Sequence, residues 1–135
     1  MPIERVYSGA PWEKIAGYCR AIRAGERVHV SGTTSLDDEG NVFAVDDAYR
    51  QTRRCLELIE KALREFGEPR PAIVRTRMFV TDISVWKEYG RAHAEFFGNE
   101  PPATSMVEVS RLIDPAMVIE IEAEAFIAPG TPSAA

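Results

Sequence analysis

The chain has 135 residues, 45% hydrophobic and 27% charged, which fits one soluble domain with a real core. Its formal net charge of −5 at pH 7 argues against a nucleic-acid binder held by bulk electrostatics. No apolar run approaches the roughly 20 residues of a membrane helix, and the opening MPIERVYSGAPWEK lacks the apolar core of a secretory signal, so a cytoplasmic location and no membrane partner are expected.

Residues 1–8 offer a short edge strand with Ile3 and Val6 as its apolar positions. Pro11 and Gly17 bracket a loop containing Trp12. A hairpin follows in GYCRAIRAGERVHVSG. With Ala24-Gly25 as its two-residue turn, Arg23 faces Glu26, Ala21 faces Val28 and Cys19 faces Val30. Cys19, Ala21, Val28 and Val30 then form an apolar face. The opposite face sets Tyr18 across from Ser31 and Arg20 across from His29, and is either solvated or functional. A one-residue slip of register would exchange the two faces.

Residues 33–47 are turn-rich, with Asp37-Asp38-Glu39-Gly40-Asn41 at their centre. A helix is predicted over 46–66. Thr52, Cys55, Leu56, Ile59, Ala62, Leu63 and Phe66 recur at three- and four-residue steps, Asp46 or Asp47 caps the start, and Gly67 marks the stop. After the rigid EPRPA connector comes a strand over 73–81. It carries Val74, Thr76, Met78 and Val80 on one face and Arg75, Arg77 and Phe79 on the other. A second helix is predicted over 84–97, capped by Asp82 or Ser84 and ended by Gly98. Trp86, Tyr89, His93, Phe96 and Phe97 form its apolar stripe, with His93 as a packed core histidine. Cys19 and Cys55 form no CxxC pair and have no histidine cluster beside them, so both read as buried thiols, with no disulfide and no metal site.

Two strands close the chain, over 104–110 and 118–127, joined by a loop around Pro115. In the second, Ile119, Ile121, Ala123, Ala125 and Ile127 alternate with Val118, Glu120, Glu122, Glu124 and Phe126. The period of two lines three carboxylates along one face. They repel one another unless cations or water meet them.

The element order is β-β-β-α-β-α-β-β. It predicts an α+β domain over 1–128, in which two one-sided helices cover one face of a six-stranded mixed sheet. The uncovered face would show Arg75, Arg77, Phe79, Met106, Glu108, Glu120, Glu122 and Glu124, an alternation suited to self-association. Residues 129–135 read as a flexible tail.

No Walker loop, HExxH helix or nucleophile elbow is present. Ser31 and His29 lack a defined orienting acid, which disfavours a serine triad. The more informative set is Tyr18, Ser31 and Glu120, with Thr104 and Met106 on the adjoining strand. Glu120 either acts on water as a general base or forms an ion pair with Arg75, Arg77 or Arg111.

Taken together, GYxxAxxxGxxxxVSG, TxxxLxxIExxLxxxG, VxRTRxFVTD, PPA, VEVSRL and IEIEA resemble the RidA (YjgF) family over about residues 5–127. The resemblance implies a chorismate-mutase-like fold and a homotrimer with small-molecule ligand clefts between subunits. It also implies hydrolysis of enamines and imines, such as 2-aminoacrylate, to keto acids and ammonia, with no metal or cofactor. Tyr18, the Ser31-Gly32 pair and Glu120 match the family's cleft residues. Two positions depart. The carboxylate-binding arginine after Pro-Ala is Thr104, and the cysteine two positions later is Met106. Members without that arginine form divergent subgroups not expected to deaminate imines well.

A bidentate guanidinium–carboxylate contact is among the stronger polar pairs, and its loss costs roughly one to two decades of binding. Either the substrate lacks the carboxylate or another cation holds it. Arg20, beside Tyr18, is the candidate cation; its alternative is a pair with an acid such as Glu122. The functions left open are a cofactor-free enamine/imine deaminase with altered substrate choice and a non-catalytic binder of keto-acid-like molecules. A ribonuclease or translation inhibitor is disfavoured by the acidic charge and the lack of a stacking platform with a basic groove.

Overall fold

The computed structural model describes residues 2–128; the segment 129–135, read above as a tail, lies outside them. Its centre is β6 (Ile119–Phe126), flanked by β3 (Arg27–Thr34) and β4 (Ala72–Val80), both antiparallel to it. β2 (Ala21–Ala24) and β1 (Ile3–Val6) extend the sheet beyond β3, and β5 (Ala103–Glu108) lies parallel to β4 at the far edge. The order β1-β2-β3-β6-β4-β5 is the mixed, six-stranded sheet expected.

The alternation of β6 works as its sequence requires. Ile119, Ile121, Ala123 and Ala125 are buried, and so is Ile127 just beyond the strand. They meet the apolar stripe of α2 (Ala48–Arg64), where Thr52, Cys55, Leu56, Ile59, Ala62 and Leu63 are all buried, as is Phe66 beyond it. The Asp47 carboxylate caps this helix by accepting from Arg50 N at 2.9 Å. Buried Gln51 ties the helix to the approach to β6. Its Nε2 donates to Ala116 O at 2.9 Å, and its Oε1 accepts from Val118 N at 2.9 Å. The second long helix, α3 (Trp86–Phe97), follows a 3-10 turn capped by Asp82 and buries Tyr89, Ala92 and His93.

Several expectations are corrected. The stretch after Pro11 is a helix, α1 (Pro11–Ala16), with proline at its start and Gly17 in the left-handed conformation at its end. The hairpin turn is Gly25-Glu26, not Ala24-Gly25, because Gly25 takes the positive φ at the first turn position. Ala21 therefore pairs with Val30 and Ile22 with His29, and Arg20 lies across from Ser31, whose N donates to Arg20 O. This slip of two residues keeps Ala21, Val28 and Val30 on the buried face. In β4 an irregularity at Val74 exposes that residue and buries Ile73 instead. Trp86 is 53% exposed rather than part of the core. Met106 and Glu108 are not on the bare face. The parallel register sets Met106 beside buried Met78 and Glu108 beside buried Val80, while Ser105 and Val107 line up with Arg77 and Phe79. Cys55 is buried, as expected, but Cys19 is only half-buried.

Candidate functional site

β3 does not run straight. Val30 pairs with Ala123 and Thr33 with Ile121, so Ser31 and Gly32 together oppose the single residue Glu122. This bulge reverses the side-chain alternation: Val28 and Val30 are buried before it, Thr33 and Ser35 after it. At the bulge the Gly32 carbonyl accepts from Arg20 Nη1 at 2.7 Å, and the same nitrogen lies 3.1 Å from Thr33 Oγ1. The Ser31 hydroxyl is spent on the Cys19 carbonyl at 2.7 Å.

α1 completes the hold on Arg20. Its buried Glu13 lies 3.4 Å from Arg20 Nε and accepts from Ser8 through both backbone and hydroxyl. The Arg20 guanidinium also sits over the Tyr18 ring, 5.6 Å from its centroid. Arg20 is thus 8% exposed, the acid beside it is Glu13, not Glu122, and its buried Nε meets that acid as an ion pair without a hydrogen bond. Among the described residues its Nη2 makes no hydrogen bond.

The carboxylates of β6 divide in two. Arg77 lies 3.2 Å from Glu124 and 4.0 Å from Glu122, which answers the repulsion evident in the sequence. Glu120 has no such partner among the described residues: its side chain makes no ion pair with Arg75, Arg77 or Arg111 and accepts no hydrogen bond. It lies across the bulge, against the space a side chain at Gly32 would fill. A Cβ built there would stand 2.5 Å from Glu120 Oε2. Burial pushes the Glu120 carboxyl above its ordinary value of 4.5, opposed by the charge of Arg20 and reinforced by Glu122.

Tyr18, Arg20, Gly32 and Glu120 line one cavity of about 960 Å³. Its polar floor is walled by apolar groups from three places: Trp12 and Ile15 of α1, Leu58 of α2, and Ile113 before β6. Neither Glu13 nor the α1 wall is evident in the spacing of apolar residues; only the proline–glycine bracket of 11–17 signals the helix. Ser31 does not line the cavity. Nor do Thr104 and Met106, which lie on β5 beyond β6 and β4. Met106 packs on the core, and the Thr104 hydroxyl accepts from Thr76 at 2.7 Å. Among the described residues no group of three His, Cys, Asp or Glu is placed to hold a metal ion. No described helix is long and apolar enough to cross a membrane.

Comparison with known proteins agrees with this architecture. The family model described as Endoribonuclease L-PSP matches residues 9–127. The 3-aminoacrylate deaminase RutC of Acinetobacter baylyi is 32% identical over 127 residues, covering 94% of this chain and 100% of that one. The crystal structure of Rv2704 from Mycobacterium tuberculosis, a member of the YjgF/YER057c/UK114 family, has a TM-score of 0.82 at 44% identity, covering 93% of this chain and 100% of that one. The structure of the YjgF gene product of E. coli has a TM-score of 0.77 at 30% identity, covering 90% and 95%. With its sheet, its two covering helices and these matches, the chain belongs to the RidA (YjgF) family and has its chorismate-mutase-like fold.

Proposed function

We propose that this protein is a homotrimeric, cofactor-free hydrolase of enamine- or imine-type metabolites, with a substrate choice altered from that of its deaminase relatives. The observation that carries this reading is the Glu120 carboxylate, which lies unpaired and half-buried over Gly32 in the cavity that also holds Tyr18 and Arg20. A carboxylate in that setting takes a proton from water as the water oxygen bonds to the C=N carbon. It passes the proton to nitrogen, and the carbinolamine breaks its C–N bond to leave a carbonyl and ammonia. Both hydrogens of the water end on nitrogen, so no oxidant or reductant is needed. An enamine joins the route after protonation at carbon. Tyr18 and Arg20 shape and polarise the floor.

The trimer is supported by the bare sheet face, where Arg77 meets Glu122 and Glu124 beside exposed Val107. In that assembly the edge strand of a neighbouring subunit would bring its exposed Thr104 to the mouth of the cleft, while Met106 stays packed on its own core. Light scattering should return three times the 15.0 kDa chain mass. An amino-acid oxidase supplying imines in the presence of a carbonyl-reagent trap tests the chemistry. The protein should divert imine from the trap, and Glu120→Gln should not. A second reading, a non-catalytic binder of keto-acid-like molecules, is favoured by one observation: Thr104 is a hydroxyl where the deaminase pattern has a guanidinium. Ligand heat in calorimetry with no diversion of imine would select it.

A further inference from the structure

The cavity around Glu120 has two unlike halves. Its floor carries Arg20 and Glu120, and its walls carry Trp12 and Ile15 of α1, Leu58 of α2 and Ile113. Ile15 is 82% exposed and Ile113 65%, so two large apolar groups stand at the cavity with little of the chain to cover them. A volume of about 960 Å³ is of the size that encloses a ligand with an aryl or long alkyl body. Charge then narrows what else that ligand carries. Among the described residues, the cations lining the cavity are Arg20, Arg54 and Lys61. Arg20 Nε lies 3.4 Å from Glu13, Arg54 Nη2 lies 3.2 Å from Asp38, and exposed Lys61 is one helical turn from Glu65. Asp37, Glu39 and Glu120 also line the cavity, so its carboxylates outnumber its cations. A ligand carboxylate would leave water to meet a guanidinium already shared with Glu13, beside the like charge of Glu120. A neutral imine, or its protonated form, meets no such opposition.

We propose that this cavity selects imines of bulky apolar amines that carry no carboxylate, with the apolar body against Trp12, Ile15, Leu58 and Ile113 and the C=N carbon at Glu120. The inference deepens the hydrolase reading above and rests on it. The class of reaction that supplies such a substrate is the oxidation of a primary amine rather than of an amino acid. An amine oxidase removes one hydrogen from carbon and one from nitrogen, passes both with their electrons to dioxygen as hydrogen peroxide, and releases the imine. Addition of water and loss of the C–N bond then give an aldehyde and ammonia.

Calorimetry on the intact protein compares 4-phenylbutan-2-one with 2-oxo-4-phenylbutanoate, which has a carboxylate in place of the terminal methyl group, and with 2-butanone, which lacks the phenyl group. The phenyl ketone should bind about tenfold or more tightly than the keto acid. It should also exceed 2-butanone by about tenfold or more, the worth of burying a phenyl group. Ile15→Ser combined with Ile113→Ser, both at exposed positions that folding does not depend on, should lose most of the phenyl preference. Glu13→Gln, which releases the charge of Arg20, should narrow the gap between ketone and keto acid by about threefold or more, and Ile15→Lys should do the same without touching a buried group. In the trapping assay above, the wild type should divert the imine of 3-phenylpropylamine, made by an amine oxidase, faster than that of homophenylalanine, made by an amino-acid oxidase. Tighter binding of the keto acid, equal binding of the two ketones, or faster diversion of the homophenylalanine imine overturns the inference and leaves the hydrolase reading in place. Diversion of neither imine overturns both.

Discussion

Gly32→Ala sets a methyl group where the Glu120 carboxylate lies. The added carbon would stand 2.5 Å from Oε2, 2.9 Å from Cδ and 3.2 Å from Cγ. Ordinary contact needs about 3.4 Å or more between carbon atoms and about 3.2 Å or more from carbon to oxygen, so the carboxylate must move by roughly 0.7–1 Å. It is the free end of a flexible side chain, and swinging it off its rotamer costs about 0.5–1.5 kcal/mol. Loss of a glycine from the unfolded chain returns about 0.4–1 kcal/mol. Gly32 is not among the residues held at positive φ, so alanine meets no backbone strain there. Stability should therefore change by less than about 1 kcal/mol, or about 4 °C in Tm. Activity should fall far more, because a misplacement of about 1 Å in a reacting group costs on the order of a hundredfold. Thermal unfolding and the imine-diversion rate measure the two effects, and ¹³C NMR of the glutamates adds a third. The displaced carboxyl should titrate closer to its ordinary 4.5. A variant that keeps full rate, or one that unfolds by more than about 3 kcal/mol, would refute this account of Gly32.

Three further outcomes follow from the same contacts. The Glu120 carboxyl is raised in the folded state, so the folded protein holds its proton longer than the unfolded chain. Stability from this group is present below the ordinary 4.5 and is lost as pH rises through the folded value; Glu120→Gln should be more stable than the wild type at pH 7 in urea titrations and lack that slope. His93 is lowered, so the unfolded chain binds its proton first. Stability should fall as pH drops below 6.5 towards the folded value, and His93→Gln should flatten that fall in thermal melts across the same window. Gln51→Leu strips partners from Val118 N and Ala116 O at the entry to β6; it should cost about 2–4 kcal/mol by urea denaturation, with no compensating loss if only surface contacts were involved.

Much of the fold is legible in local patterns, and the reason is burial. Each position from Thr52 to Phe66 in the α2 stripe, and each alternate position from Ile119 to Ile127, is forced inward by its own chemistry, whatever lies opposite. Tyr18, Gly32 and Glu120 are likewise visible as a pattern, though only through resemblance to a family. Register is different, because it depends on partners distant in sequence. The hairpin turn moved by one residue because Gly25 takes the positive φ, and β5 turned Met106 inward because its parallel register with β4 sets it beside Met78.

The amino-acid sequence by itself thus determined which residues are apolar, that two long helices cover a six-stranded sheet, and that three glutamates share a face of β6. Only the tertiary structure decided which of those glutamates stays unpaired. Arg77 reaches Glu122 and Glu124 across the sheet, while the bulge at Ser31-Gly32 opens room for Glu120 and Glu13 holds Arg20 beside it. Charge pairing is a matter of distance in space, and no spacing along a chain encodes a strand's bulge or the short helix that returns to clamp it.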